Sequence, residues 1–314
     1  MAAGGEAVLV TGAGGCIGAW VVARLAAAGR QVVALDRATD RRRLRLAMAT
    51  DAADALPWEV ADVADAEAVA GIVARHRVGA IVHLAALQIP LCLADPLAGA
   101  KVNVLGHATI LEAARRAGLR HIVYASSVAA QTAAGRPGPD TLYGIYKQAD
   151  EGLARLYWQD WQVPSIGLRP HTVYGPGRDQ GLTSAPTLAM LAAALGRTYT
   201  IPYRATLMMQ HVQEVADAFI ACLDTDAAGA HVFDLKGAKA DTAEIAAVIR
   251  DVVPGAEIAI GDDRLSLPHG QDDAALRKFV KSWPAISLRQ GVEKTVDAFR
   301  TLAARGLVDA GGPG

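Results

Sequence analysis

Net charge is almost absent from this sequence. Its 31 Lys and Arg stand against 32 Asp and Glu, a formal charge of -1. No global field therefore draws the chain to nucleic acid or to an anionic membrane surface. No apolar run approaches the ~18 residues that a membrane span needs. The opening MAAGGEAVLV has no basic stretch ahead of a hydrophobic one, so no secretory signal is expected. Cysteine is scarce as well. Cys16, Cys92 and Cys222 are odd in number and far apart, which excludes a disulfide framework and any zinc-ligand spacing. No metal is expected, and a reducing cytoplasm is the expected compartment. What remains is 52% hydrophobic and 20% charged residues, the balance of an ordinary globular enzyme. A length of 314 residues admits one large domain or a domain with a smaller lobe.

The first half alternates β-rich apolar runs with alanine-rich stretches. The spacing predicts strands over Glu6–Thr11, Gln31–Asp36, Trp58–Val60, Ala80–Leu84, His121–Ser126 and Ser165–Leu168. Between them it predicts helices over Cys16–Ala28, Ala64–Arg75, Leu97–Ala117 and Leu142–Trp161. That alternation implies an α/β fold, a doubly wound parallel sheet with right-handed crossovers. After Arg169 the rhythm changes, with glycine and proline crowding Pro170–Pro186. Helices are then expected at Thr187–Leu195, Val212–Leu223, Thr242–Val253 and Leu288–Arg305, and strands at Thr198–Pro202, His231–Leu235 and Ala256–Ile260. The cluster Arg41–Arg45 reads as a solvated helix face, and Asp309–Gly314 as a frayed tail.

The segment VLVTGAGGCIG places Gly12, Gly15 and Gly18 between a strand and a helix. Such glycines let backbone approach a pyrophosphate, and the helix N-terminus stabilises its charge. Cys16 and Ile17 sit between the last two glycines and join the cofactor-lining positions. Cys16 reads as a small packing side chain, not a nucleophile. Asp36 closes the next strand, 18 residues past Gly18. A carboxylate there can accept both ribose hydroxyls and would repel a 2′-phosphate, which favours NAD over NADP; Arg37 beside it can partly offset that repulsion. Residues 1–169, with about 207–235 returning to them, are thus expected to form a Rossmann-like NAD-binding domain. Residues 170–206 and 236–314 are expected to form a small C-terminal substrate-binding lobe.

Tyr143 and Lys147 stand four apart in a helical pattern, on one face. A tyrosine of pKa ~10 is a poor base at neutral pH, and a lysine ammonium beside it stabilises the phenolate. The pair can take a proton from an alcohol while a hydride leaves the same carbon. Ser126 and Ser127 end the preceding strand, where ligands sit in open α/β sheets, and one hydroxyl there can bind the substrate oxygen while the other makes a turn contact.

Together these residues resemble the extended short-chain dehydrogenase/reductase family, the NAD-dependent epimerases and dehydratases. The resemblance covers nearly the whole chain: TGAGGCIG, Asp36, Asp62-Val63, HLAAL from His83, NVLGHATILEAA from Asn103, SSV, YGIYK, RPHTVYGPG from Arg169 and HVQEVADAFI from His211. It implies that Asp62 and Val63 contact the adenine and that Leu84, Ala85 and Ala86 line the cofactor. It implies that Asn103 orders the active-site helix and a water, and that Ser127, Tyr143 and Lys147 are the catalytic triad, Lys147 also holding the ribose. Pro170, His171 and Val173 would flank the nicotinamide. Dimers of the family form through the two helices expected at Leu97–Ala117 and Leu142–Trp161, so a homodimer is expected.

Departures from the family bear on substrate. Dehydratases follow the hydroxyl with an acid pair; here Val128 and Ala129 follow Ser127, and neither moves a proton. Nucleotide-sugar epimerases usually carry an asparagine where this chain has Thr172, and an arginine where it has Leu207, followed by Met208 and Met209. Arg178 or Arg204 could stand in for the missing charge. The stretch between Ser127 and Tyr143 is also short. Members that act on free sugars or sugar acids lack the nucleotide handles too, and there Gln88 would face the substrate; a loop amide is an equal reading for it. His171 and Arg178 could hold a carboxylate, and Thr172 beside His171 is also expected to face the substrate. The expected function is therefore an NAD-dependent oxidoreductase acting on a secondary alcohol of a small polyhydroxylated molecule. The alternative is a nucleotide-sugar 4-epimerase, in which NAD cycles without release of NADH. A non-catalytic NAD sensor is a third reading, opposed by the presence of both Tyr143 and Lys147.

Overall fold

The computed structural model describes residues 6–131, 138–280 and 283–308. The expected frayed tail and part of the short stretch between Ser127 and Tyr143 lie outside the described residues. In chain order the first half runs β1 (Ala7–Thr11), α1 (Cys16–Ala27), β2 (Val32–Asp36), α2 (Arg42–Ala47), α3 (Thr50–Ala55), β3 (Trp58–Val60), α4 (Ala66–Arg75) and β4 (Val78–His83). It continues with α5 (Ile89–Ala94), α6 (Pro96–Ala100), a π turn (Lys101–Leu105), α7 (Gly106–Ala117), β5 (His121–Ala125), a 3₁₀ turn (Val128–Ala130), α8 (Leu142–Trp161) and β6 (Ser165–Arg169). The second half runs β7 (Thr172–Tyr174), α9 (Ala185–Ala194), β8 (Tyr199–Arg204), β9 (Thr206–His211), α10 (Val212–Leu223), β10 (Ala230–Asp234), β11 (Ala238–Asp241), α11 (Thr242–Val252), β12 (Ile258–Arg264), α12 (Ala274–Phe279) and α13 (Leu288–Ala304).

Seven strands form one sheet in the order β10-β6-β5-β4-β1-β2-β3, every pair parallel. This is the expected doubly wound, Rossmann-like sheet. Alternation along β1 explains its two covered faces. Val8 and Val10 enter one apolar layer with α1 and α10, while Ala7 and Leu9 enter the other with α4 and α7. A three-stranded sheet (β11-β9-β7) and a two-stranded pair (β12-β8) build the smaller body. Its own core gathers Met190, Ile201, Leu207, Met209, Ile249, Val296 and Phe299. Leu276, Val280 and Trp283 instead pack on the large sheet's core. Among the described residues no helix is long and apolar enough to cross a membrane.

Local chemistry sets the boundaries. Asp65 caps α4 by accepting from the Glu67 and Ala68 amides, so that helix starts two residues later than expected. Capping boxes open α11 (Asp241, Glu244) and α13 (Ser287, Gln290). The expected single helix Leu97–Ala117 is interrupted by the π turn, whose extra residue carries the buried Asn103 inward. The cluster Arg41–Arg45 is also more than a solvated face. Arg41 donates to the Ala53 carbonyl at 2.6 Å and stacks over Trp58, and Arg43 pairs with Asp179 at 2.6 Å.

One polar cluster ties α8 to the sheet. Arg169, at the end of β6, forks onto both oxygens of Glu151 at 2.7 and 2.6 Å. Ser126 donates to the same carboxylate. Only 13% of the Glu151 side chain is exposed. Removing one partner of a fully buried pair costs about 3–5 kcal/mol because the other charge is stranded. Arg169 keeps partial solvent access and Asp234 as a second partner at 3.4 Å, so Glu151→Ala is expected to lower unfolding free energy by roughly 2 kcal/mol. Denaturant melts of the two proteins would read this difference; an unchanged midpoint would show that the cluster contributes nothing.

Candidate active site

The glycine turn between β1 and α1 is shaped for close approach. Gly12 has φ +67°, and a Cβ there would lie 2.7 Å from the Ala85 amide nitrogen. A Cβ on Gly18 would fall onto the Gly12 carbonyl oxygen. Gly15 opens α1 with no side-chain cap and no acid in the first turn, so the helix presents open N–H groups and a positive dipole end. That cradle fits a pyrophosphate. Burial pushes the Cys16 thiol up to about 11, which keeps it neutral and inert beside such a group, in keeping with a packing role.

Carboxylate and guanidinium fix the turn from outside. Asp36 accepts from the Gly14 amide through one oxygen and from the Arg37 amide through the other, each at 2.8 Å. Arg43 donates to the Gly14 carbonyl at 3.1 Å. Beneath it, the Thr11 hydroxyl accepts from the Leu84 and Ala85 amides at 3.2 and 3.3 Å and meets Nδ1 of His83 at 2.7 Å. Burial holds His83 well below the usual histidine range, so its ring is neutral; with the hydroxyl oxygen already accepting from two amides, the Thr11 O–H is left to donate a hydrogen bond to Nδ1. Thr11 thereby sets the Leu84–Ala86 backbone along the glycine turn. The sequence reading missed Thr11; only its place as the last residue of β1 before the glycines could have marked it. Val63 packs beneath α7 at Gly106. Asp62 pairs with Lys101 of the π turn at 2.7 Å, and hydrogen bonds from Lys101 and the Ala64 amide lower its pKa.

Thr141 caps α8 by accepting from the Gly144 amide at 3.0 Å, which places Tyr143 in the first turn and Lys147 one turn on. The Lys147 nitrogen lies 5.9 Å from the Tyr143 ring centre. It donates to the Ala125 carbonyl at the end of β5, 2.7 Å away, and to Asp150 at 3.1 Å. Burial works against this ammonium, but Asp150 and Tyr143 more than offset it, and its pKa is raised. The two serines divide their work. Ser126 is committed to Glu151. Ser127 accepts from the Ala129 amide at 3.1 Å, capping the 3₁₀ turn, and among the described residues no acceptor takes its own proton. Asn103 clamps Leu87 at both ends, accepting from its N–H at 2.7 Å and donating to its carbonyl at 3.0 Å.

That clamp fixes the backbone just before Gln88. Gln88 and Arg178 converge on Gly181, where a Cβ would meet the Gln88 side-chain oxygen and would stand 3.2 Å from an Arg178 nitrogen. Arg178 donates to Thr183 at 3.1 Å, its Nε is buried without a partner, and no carboxylate among the described residues pairs with it. His171 does not join it. Its ring is spent on the Pro268 carbonyl at 2.6 Å and on Thr172 at 2.9 Å, and Thr172 is fully buried. The expectation that His171 helps hold a carboxylate, and that Thr172 meets the substrate, therefore meets side chains already committed to each other. Pro170 accepts from the Val128 amide at 3.2 Å, and Val173 is buried in β7. Leu207, Met208 and Met209 are buried too, so β9 offers no polar handle there. Arg204 is paired with Asp262 at 3.3 Å.

A model of the NAD dependent epimerase/dehydratase family matches residues 8–235. The UDP-glucose 4-epimerase of Mycolicibacterium smegmatis is 32% identical over 313 residues, covering 93% of this chain and 98% of that protein. Among solved structures, MoeE5 in complex with UDP-glucose and NAD matches at 25% identity with a TM-score of 0.79, over 96% of this chain and 100% of that one. A partial consensus L-threonine 3-dehydrogenase matches at 25% identity and TM-score 0.79, over 94% and 99%. The glycine geometry yields a direct expectation. Gly18→Ala, which cannot keep the turn closed against Gly12, should weaken NAD binding about tenfold or more while leaving the fold intact. Calorimetric titration with NAD, alongside circular dichroism, checks both halves; undiminished affinity would mean that the turn is not the cradle.

Proposed function

This chain belongs to the NAD-dependent epimerase/dehydratase family, and we propose that it oxidises a secondary alcohol of a small polyhydroxylated substrate: a free sugar, a sugar acid or a hydroxy acid. One observation carries the reading. Lys147 lies 5.9 Å from the Tyr143 ring centre and donates to the Ala125 carbonyl at the end of β5, two residues before Ser127, an arrangement that supports these three as the catalytic group. Tyr143 takes the alcohol proton, Lys147 stabilises the phenolate and holds the ribose, Ser127 positions the substrate oxygen, and Asn103 holds the adjoining backbone. When bound, NAD supplies the acceptor for the hydride. Gly12, Gly15, Cys16, Ile17 and Gly18 would cradle its pyrophosphate, Asp36 with Arg37 beside it the ribose, and Asp62 and Val63 the adenine. Leu84, Ala85 and Ala86 would line it, and the backbone at Pro170, His171 and Val173 would flank the nicotinamide. Residues 170–206 and 236–314 would shape the substrate side, with Gln88 and Arg178 at its edge.

Two findings weigh on substrate. Val128 and Ala129 form the turn after Ser127 and offer no acid or base for expelling water. The buried Leu207–Met209 strand gives a nucleotide diphosphate no charged partner, a loss of about 1.5–3 kcal/mol for each charge-assisted bond not made. A second reading, a nucleotide-sugar 4-epimerase, is favoured by the Mycolicibacterium relative that matches end to end. Absorbance at 340 nm separates them. Sustained NADH formation with a free sugar, uronic acid or hydroxy acid supports the dehydrogenase. Isomerised nucleotide sugar without NADH replaces it with the epimerase. Tyr143→Phe should cut turnover by about 10²–10⁴-fold with NAD binding kept; turnover that survives it would sink both readings.

We also propose a homodimer through α6, α7 and α8. Leu97 of α6, Leu105 of the π turn that leads into α7, and Ile145, Leu156 and Trp161 of α8 stand 84%, 51%, 46%, 43% and 51% exposed, large apolar side chains of the kind that mark an interface. Sedimentation should give twice 32.7 kDa, and Leu97→Glu should shift the species toward the monomer. A monomeric parent would remove the proposal.

A further inference from the structure

Beneath Lys147 lies a group of buried polar side chains that the chemistry above does not use. Asp150, one turn further along α8, is 0% exposed. One of its oxygens meets the Lys147 ammonium at 3.1 Å, and the other has no partner. Neighbouring elements present titratable groups to this pair. From α8 come Tyr143 and Glu151, from α7 His107, from β4 His83, from β5 Tyr124 and from α5 Cys92, with Arg169 of β6 behind Glu151 and Tyr124. Their charges are accounted for one by one. Burial keeps His83 neutral and pushes His107 down to about 3. His107 stacks on His83 at 5.4 Å and lies against Tyr124 at 4.6 Å, with both ring nitrogens unpartnered. Burial raises Tyr124 and Cys92, so both keep their protons. Glu151 is matched by Arg169. Burial raises Asp150 to about 6 against the pull of Lys147, so above that pH it is the one anion in contact with the Lys147 ammonium.

We propose that Asp150 is a positioning residue for proton transfer: it is the counter-ion that keeps Lys147 an ammonium and holds it at the end of β5, under Tyr143. An isolated buried ammonium sheds its proton rather than remain charged in a low-dielectric site. Tyr143 would then lose the cation that stabilises its phenolate. Geometry supports the same role. Two of the three Lys147 donor positions are spent, on Ala125 and on Asp150, which leaves one for Tyr143 or for a bound ribose. The proposal rests on Tyr143 being the base.

Tyrosinate absorbance at 295 nm tests it without a substrate. The pH titration of the full chain with NAD bound, minus that of Tyr143→Phe, isolates the Tyr143 phenol. Asp150→Asn keeps the shape and removes the charge. Its Tyr143 midpoint should rise by about one pH unit through loss of the lysine field. Asp150→Glu should bring it back. If Asp150→Asn does not fold, Asp150→Ser is read in the same way. An unmoved midpoint would make Asp150 a packing residue. A lowered midpoint would mean that Asp150 only repels the phenolate; either result overturns the proposal. Failure of the underlying reading would look different: Tyr143→Phe would keep turning substrate over, whatever Asp150 does to the titration.

Discussion

The absence of a side chain at Gly12 is the constraint on which the rest depends. Ala85 backbone lies where a Cβ would stand, so the ends of β1 and β4 can close on each other. Those strands are neighbours at the point where the sheet order reverses, with β2 and β3 to one side and β5, β6 and β10 to the other. An open parallel sheet places its crevice there, outside the carboxyl ends of its strands. Several of the residues discussed above sit at such an end or just past it: Asp36 closing β2, Leu84 after β4, Ser127 after β5, Pro170 after β6. Close packing at one glycine thus brings together groups that are far apart in the chain.

Charge is handled in two ways around that crevice. On the cofactor side it is open and hydrogen-bonded, as in the Asp36 carboxylate that takes two amide protons. Under α8 it is closed off. Lys147 and Asp150 face each other in a region where two histidines and a tyrosine are held neutral by burial. A low dielectric strengthens any field acting there. The smaller body adds apolar surface on its β9 side and the Arg178 guanidinium at its edge.

Much of this was legible in the amino-acid sequence. The glycine spacing, Asp36 and the Tyr143–Lys147 step each follow from a local rule, and the large sheet follows from long alternating runs. What escaped was of two kinds. Short elements carry too few residues for a period to show: β7 and β11 are three and four residues long, and α2 and α12 are single turns and a half. The π turn at Lys101–Leu105 leaves no mark in a helical pattern. Other features depend on partners distant in sequence. Thr11 meets His83 across 72 positions, and Arg43 meets Asp179 across 136. Asp150 escaped for a related reason, since YKQADEG reads as an exposed polar helix and only tertiary packing buries it.

Arg43 and its neighbour Arg42 share the Asp179 carboxylate, at 2.6 and 3.0 Å. Their duties are unequal. Arg42 is 58% exposed and serves Asp179 alone, whereas Arg43 is 17% exposed and also grips the Gly14 carbonyl. Lineages descending from this chain are therefore free to drift at position 42. Position 43 is pinned from both sides of the crevice, and a change at 179 would leave its guanidinium with half its work and a selective pressure to find another acid.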